Sequence, residues 1–512
     1  MFIDNIIIGA GPAGLQLAYF FKKHNIKYIV LEKDKLSGSF FNKFPHSGKL
    51  ISINKKYTGK TDLDFNLRHD WNSLLNDEEL LMTKYSDNFY PDREKLVKYL
   101  NDFSKINNLN IIYNTTVLSI EKNEEQYIIN TNNSKLYCKK LIIATGLSKK
   151  NIPDLKLDII DPIKHYSDYP TNFFRYKKNL MNFINKSVLI LGGGNASFEL
   201  ALILNEYTSK IEIKNKIKCK KWALSSHYSG DIRSIYLPYM DTFLLKSLNA
   251  IDGYYEIPNI TQKNGGEPYI VEYPGIRGDV KYDIIIDCTG WIFDNSIFNF
   301  NLNLTINNKY PEIKNNYEST NNNNLFFIGA LMHSHDYKIS SGGFIHGFRY
   351  LIKLFMNLNY NIAYTKKEFK ILNFEDMILL TNHILYRINT SSDIYQMFRF
   401  IGDILYFNNK TKILTYYKNV NINLDYDKDY DIKFIITLEY GNKEITQIYE
   451  IGKLHSYLGS ESNATLIHPI ISIFNQSFII DIVHFDEDIY AEFENKNKYY
   501  YKILRTLKPY IL

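Results

Sequence analysis

Apolar residues dominate the first stretch, "FIDNIII" from Phe2 to Ile8, and give way to Gly9-Ala10-Gly11-Pro12-Ala13-Gly14. A short apolar run stopped by a turn suits a strand buried in a parallel sheet. Apolar positions then recur at helical spacing to about His24, and a second run, Lys27 to Leu31, ends on Glu32. The pattern predicts strand, turn, helix and strand in that order. It returns at Val188, where "VLILGGGNASFELA" carries an apolar run, the turn Gly192-x-Gly194-x-x-Ser197 and a helix through Leu204. A second strand follows in "KIEIKNK" from Lys210. Two further runs close on Thr-Gly pairs: "KLIIATGL" on Ala144-Thr145-Gly146, and "YDIIIDCTGW" on Thr289-Gly290. A last one, Leu325 to Ile328, meets Gly329-Ala330, a loop, and a helix from about Gly343.

The glycine spacing gives these units a chemistry. In G-x-G-x-x-G the first glycine permits a tight turn, the second lets the backbone approach a pyrophosphate, and the third lets helix and strand pack closely. The helix N-terminus directs partial positive charge and N–H groups at phosphates, and a carboxylate at Glu32 suits a ribose. The expected contacts are Gly9, Gly11, Pro12, Ala13, Gly14 and Glu32, with Lys33 and Val117 beside them, and Ala144, Thr145 and Gly146 at the closing strand. At the second turn they are Gly192, Gly194, Asn195 and Ser197. No acid stands there at the place of Glu32; Lys214, Asn215, Lys216 and Lys218 do. Cations suit a 2′-phosphate and a carboxylate suits a free 2′-hydroxyl, so Lys214 and Lys216 are expected to favour NADPH over NADH. Two such units imply two dinucleotides, a flavin in the first and a nicotinamide in the second.

The fold expected is α/β: two nested Rossmann-like dinucleotide-binding domains, for FAD and NAD(P)H, plus a smaller C-terminal α+β region. The expected segments are residues 1–155 (FAD domain, first part), 156–284 (inserted NAD(P)H domain), 285–362 (FAD domain, closing part) and 363–512. In the last, "ILNFEDMILLTNHILYRI" can be helical, "KILTYYKNV", "IKFIITLEYG" and "FIIDIVHF" alternate like strands, and a final helix ends near Leu507. That region could cover a cleft or make a homodimer.

Composition narrows the partners. A net charge of +6 over 512 residues, with no dense basic block, falls short of a nucleic-acid signature. No apolar stretch is long enough to span a membrane. The three cysteines, Cys138, Cys219 and Cys288, include no C-x-x-C pair, which argues against a dithiol mechanism and for a reducing compartment. With strand-like sequence from Phe2 leaving no room for a signal peptide, the expected location is cytoplasmic. His333, His335 and His346 lack a matching Cys or carboxylate ligand set, so no metal is expected.

The glycine turns and Ala144-Thr145-Gly146 resemble the flavin-containing monooxygenase superfamily. "SGSFFNKFP", "KLISINKKYTGKTDLDFNLRHDWNSLL" and "SSGGFIHGFRY" resemble, within it, the FAD-dependent oxidoreductase domain-containing family, whose animal members are endoplasmic-reticulum flavoproteins linked to degradation of misfolded proteins. The resemblance implies that Ser39, Phe40 and Phe41 lie along the flavin. It implies that Asn54 sits near the flavin's reactive carbon, with Ser52 two residues away on the same side if the segment is extended. It also implies that Gly329, Ala330, Gly342, Gly343 and Phe344 close the FAD site. "NLRHDW", Arg68 to Trp71, can shape a pocket or start a helix, with Asp70 as N-cap and Trp71 in the core. The activity implied is NADPH-reduced, FAD-dependent oxygen transfer from O2 to a small-molecule substrate. The alternatives are a reductase or oxidase without oxygenation, and a flavin-bearing binding protein of protein quality control.

Overall fold

The computed structural model describes residues 2–124, 126–215, 234–236, 238–239, 248–253, 258–273, 278–337, 339–440, 466–488 and 490–512. The chain forms two compact units. The first comprises the chain to Ile53, Lys84–Lys314 and Glu318–Phe327; the second comprises Asn54–Thr83, Asn315–Tyr317 and Ile328–Leu512. These units cut across the four segments expected from sequence. Residues 54–83 group with the C-terminal region, and the expected closing segment divides after Phe327.

In the first unit the opening strand, Phe2–Ile8, lies between Ile29–Leu31 and Lys135–Ile143, parallel to both. Leu325–Phe327 adds a further parallel strand to Lys135–Ile143, whose other pairing, to Tyr127–Thr131, is antiparallel. Ile6, Ile7, Leu141, Ile142 and Phe327 are fully buried in this sheet, each worth roughly 1.5–3 kcal/mol of burial. The helix Pro12–Lys23 covers it with Leu15, Leu17 and Phe21. Proline at the first helical turn gives up an N–H that has no intrahelical acceptor there anyway.

A second, all-parallel sheet of the same unit runs Asn249–Gly253, Lys210–Asn215, Ser187–Leu191, Ile284–Asp287 and Lys164–His165 among the described residues. The helix Asn195–Leu204 buries Phe198, Leu200, Ala201 and Leu204 beneath it. A small sheet beside it joins Lys156–Asp158 to Asn259–Thr261, Tyr269–Glu272 and Val280–Tyr282. The fold is thus two Rossmann-like dinucleotide-binding halves, as the sequence pattern predicts.

The second unit contains the α+β region. Its antiparallel sheet has the order Lys366–Lys370, Ile413–Asn421, Ile401–Asn408, Ile432–Tyr440, Ile467–Asn475, Phe478–His484. The helices Phe374–Thr390 and Tyr501–Ile511 pack Leu380, Ile384, Ile503 and Leu507 into one core with Phe407, Phe434 and Ile436. Asn373 caps the first of these helices, accepting from the amides of Glu375 and Asp376. The final helix runs past the expected Leu507 to Ile511. Among the described residues no helix is long and apolar enough to cross a membrane.

One polar group crosses this core. The guanidinium of Arg387 donates to both carboxylate oxygens of Asp403, at 2.8 and 3.1 Å. Tyr416 Oη and the amide of Asn419 donate to the same carboxylate. Burial alone would raise the Asp403 carboxyl, but Arg387 and these donors outweigh it and hold it below the usual range. Asp64 and Asp393 each lie 3.6 Å from the same guanidinium, so removing Asp403 leaves Arg387 partly compensated but takes away the carboxylate that accepts from Arg387, Tyr416 and Asn419. Asp403→Ala is therefore expected to lose roughly 1–3 kcal/mol, read as a lower urea midpoint by far-ultraviolet circular dichroism. A change too small to move the midpoint would contradict the pairing.

Candidate dinucleotide-binding site

The two glycine turns superpose bond for bond. At the first, the amide of Gly9 donates to Leu31 O at 2.8 Å, and the amide of Ala144 donates to Ile8 O at 2.9 Å. At the second, Gly192 donates to Lys214 O at 2.7 Å, and Cys288 donates to Leu191 O at 2.8 Å. Gly9 and Gly192 have φ of +106° and +114°, a region that L side chains avoid. Space is closed as well: a Cβ at Gly9 would lie 2.9 Å from Ala144 O, and one at Gly192 would lie 2.6 Å from Cys288 O. The Ala144-Thr145-Gly146 and Cys288-Thr289-Gly290 segments are thus the floors on which the two turns rest.

Gly11 and Gly194 do the opposite. A Cβ at either would meet nothing within 4 Å, and each is the N-cap of its helix without a side-chain cap. Each helix N-terminus can therefore be approached closely at its second glycine, the arrangement a pyrophosphate fits. Pro12 and Ala13 begin the first helix, and Asn195 begins the second. The third positions differ. A Cβ at Gly14 would collide with Gly9 O, whereas the second turn takes a fully buried Ser197.

Glu32 is 5 % exposed. Its carboxylate accepts from the amide of Ala10 at 2.7 Å and from that of Asp34 at 3.0 Å. Burial raises the carboxyl above its ordinary value against the pull of those amides. Glu32 thus ties the glycine turn to the end of the strand Ile29–Leu31. Lys33 beside it is exposed, and Val117, half-buried, starts the strand Val117–Lys122. The amide of Gly38 donates to Ala10 O at 3.0 Å, which ties the helical turn Ser39–Asn42 to the glycine turn. Phe40 is half exposed and packs on Phe41 and Phe44.

Backbone register identifies the counterpart of Glu32. Leu31 matches Lys214, so Glu32 matches Asn215. Lys214 is 4 % exposed and holds Glu212 and Asp252, each at 3.1 Å, with its ammonium over the Tyr273 ring. Its charge is spent inside the protein, which corrects the expectation that it meets a phosphate. Lys216 and Lys218 lie outside the described residues. Asn215, one of the four residues that the sequence offers there, is the one that the strand register matches to Glu32.

The two halves are also joined by side chains. Glu199, in the first turns of the second helix, accepts from the amide of Ser47 at 2.5 Å. His46 is fully buried, with Nε2 2.9 Å from Tyr166 O and its ring against Phe44 and Phe174. Phe44 meets Trp291, which follows Thr289-Gly290. Ser52, half-buried in a bend, lies in this unit one residue before its first segment ends at Ile53.

Asn54 belongs to the second unit, where it is buried and bridges to Asp70. Asp70 follows the helix Leu63–His69 rather than starting one; Asp62 is that helix's N-cap. Asp70 instead caps a turn, accepting from the amides of Asn72 and Ser73 at 3.0 Å. Trp71 stacks on His346 at 4.4 Å, and Arg349 donates to the carbonyls of Leu67, Asp70 and Ser73. The Arg68–Trp71 cluster is therefore structural. Gly329, at φ +73°, and Ala330 open a short helical turn, Gly329–Ser334. Gly342, Gly343 and half-exposed Phe344 precede the helix Ile345–Tyr360. Among the described residues no group of three or more His, Cys, Asp or Glu could hold a metal ion.

Comparison with known proteins agrees with this geometry. The family model "Pyridine nucleotide-disulphide oxidoreductase" matches residues 6–329. The chain belongs to that family. Two relatives are FAD-dependent oxidoreductase domain-containing protein 2 of Mus musculus, 35% identical over 442 residues, and its Danio rerio counterpart, 33% identical over 457. Each alignment covers 78% of this chain, and the chain spans 64% of each relative's length. Both carry the resemblance read from the motifs. Among solved structures, a variant of a flavin monooxygenase from Stenotrophomonas maltophilia has a TM-score of 0.54 at 17% identity, covering 71% of this chain and 99% of that one. That likeness is one of fold.

The histidine in the joint between the halves gives a pH test. Burial pulls His46 from 6.5 down to about 4. The unfolded chain therefore binds this proton more tightly than the native one, so the stabilisation is complete above pH 6.5 and is lost as pH falls towards 4. The integral is on the order of 3 kcal/mol. His46→Gln, which keeps a donor for Tyr166 O, is expected to flatten the fall in thermal midpoint between pH 6.5 and 4. An unchanged slope would rule His46 out as its source.

Proposed function

We propose that this chain is an FAD-dependent oxidoreductase reduced by NADPH, with the FAD pyrophosphate on the first glycine turn and the nicotinamide dinucleotide on the second. The observation that carries this reading is the paired geometry of Gly9 and Gly192: corresponding strand-end bonds, similar positive φ, and a helix after each whose N-cap glycine has no atom where a Cβ would reach. When bound, FAD would supply the electron-transfer chemistry; the protein supplies position and field. Gly11 and the amides at the start of Pro12–Lys23 would hold the pyrophosphate, and Glu32 would accept from the ribose. Gly194, Asn195 and the start of the second helix would hold the nicotinamide nucleotide.

The preference for NADPH rests on Asn215. A carboxylate there would repel a 2′-phosphate, and an amide does not. Lys216, next in sequence, is the remaining candidate cation. Oxygen transfer to a small molecule is the further step of this reading, supported by the motif resemblance around Asn54. A cytoplasmic setting suits the buried thiols of Cys138 and Cys288.

Asn215→Glu tests the assignment. The variant is expected to lose at least roughly tenfold in kcat/KM for NADPH, the size of one 1.4 kcal/mol interaction, and to gain for NADH. Lys214→Met is expected to leave the NADPH/NADH ratio unchanged, because Lys214 is committed to Glu212 and Asp252. If Lys214→Met shifts the ratio and Asn215→Glu does not, the register argument is wrong.

A further inference from the structure

The middle residues of the two glycine turns differ, and each is matched to the side chain at the end of the neighbouring strand. Gly9 corresponds to Gly192, so Ala10 corresponds to Gly193. Ala10 is fully buried, and its amide donates to the Glu32 carboxylate at 2.7 Å, so a methyl group and the acid coexist at the first turn. At the second turn a methyl group and Asn215 as it stands exclude each other. A Cβ on Gly193 would lie 2.5 Å from Asn215 Nδ2, 2.8 Å from Asn215 Cγ and 3.0 Å from Asn215 Cβ. The Asn215 side chain occupies the space that residue 193 would need for its own.

Backbone conformation is not the reason for glycine at 193. Gly192 has a φ of +114°; Gly193 lies outside that left-handed region, so its backbone accepts an L residue. The three atoms nearest to its Cβ position all belong to Asn215. Contacts of 2.5 and 2.8 Å are far inside the optimum of about 3.5–4.0 Å for packed atoms, so a side chain at 193 would drive the carboxamide from its place. Gly194 is exposed, and Gly193 and Asn215 are half-buried, so this part of the turn borders solvent.

In dinucleotide-binding units the residue at the end of the second strand faces the ribose, and its chemistry discriminates a 2′-hydroxyl from a 2′-phosphate. We propose that Gly193 is a specificity-determining residue of the second turn: having no side chain, it seats the Asn215 carboxamide against the turn and so leaves room for a 2′-phosphate on the nucleotide. A methyl group at 193 displaces that carboxamide from the turn into the space the phosphate needs. The inference rests on the NADPH reading and deepens it, because it names the residue that makes Asn215 compatible with the larger nucleotide. Gly193 acts through Asn215, so it is a positioning residue and not a catalytic one.

The test is direct binding to the full-length protein, by titration calorimetry with excess FAD present so that the first turn is filled. The probes are 2′,5′-ADP, which carries the 2′-phosphate, and 5′-AMP, which lacks it. Wild-type protein is expected to prefer 2′,5′-ADP. Gly193→Ala is expected to lower that preference about tenfold, mainly through 2′,5′-ADP, while keeping the wild-type circular dichroism spectrum. The double variant Gly193→Ala/Asn215→Gly, in which the carboxamide is gone, is expected to regain the wild-type preference. An unchanged preference in Gly193→Ala, or a lowered one that Asn215→Gly does not restore, would overturn the proposal. If Gly193→Ala alone does not fold, a folded double variant with the wild-type preference supports the pairing, and a double variant that stays unfolded overturns it. The two readings fail differently. Wild-type protein that binds both probes equally removes the NADPH reading and this inference with it, whereas a wild-type preference that Gly193→Ala leaves intact removes this inference alone.

Discussion

Two backbone hydrogen bonds organise the first unit: Gly9 N to Leu31 O and Gly192 N to Lys214 O. Each pins the end of one parallel strand to the end of the next, and the chain can make the bond only by turning at positive φ directly over a neighbouring strand's carbonyl. An L side chain there would incur roughly 1–2 kcal/mol of backbone strain in addition to the clash. The helix that follows is aimed by that turn. The clearance at its N-cap glycine, and the residue that ends the second strand, are consequences of the same constraint. Among the described residues, the side chains that distinguish the two turns include Glu32 against Asn215, and Gly14 against Ser197.

The dinucleotide units were legible because their constraints are local. Gly9, Gly11 and Gly14, and Gly192 and Gly194, fall at fixed offsets from apolar runs, and the parallel strands around them are short and continuous. The ribose position of the second site was harder. Lys214, Asn215, Lys216 and Lys218 sit together in sequence, and nothing in the letters says which one ends the strand. The pairing of Leu191 with Lys214 decides it. A long-range neighbour was equally hidden: Asp252, which with Glu212 neutralises Lys214, is thirty-eight residues away.

The second unit shows where periodicity fails. Ile401–Asn408 is buried along almost its whole length, so it lacks the alternation that marks a half-exposed strand. Ile467–Asn475 carries Pro469, which argues against a strand by composition. The expected helix start at Asp70 failed for a related reason: Asp62 and Asp70 are both good caps, and only the tertiary role of Arg349, which gathers the carbonyls of Leu67, Asp70 and Ser73, selects the first. His333, His335 and His346 look alike in sequence but do different work, one on Asp336, one against Phe400 and one on Trp71.

The central claim is that the two matched turns hold two different dinucleotides that exchange electrons. Anaerobic titration of the purified protein with NADPH tests it most directly. The account predicts one FAD per chain, bleached by one equivalent of NADPH. A protein that carries no flavin, or whose flavin keeps its oxidised spectrum with excess NADPH and NADH, would contradict it.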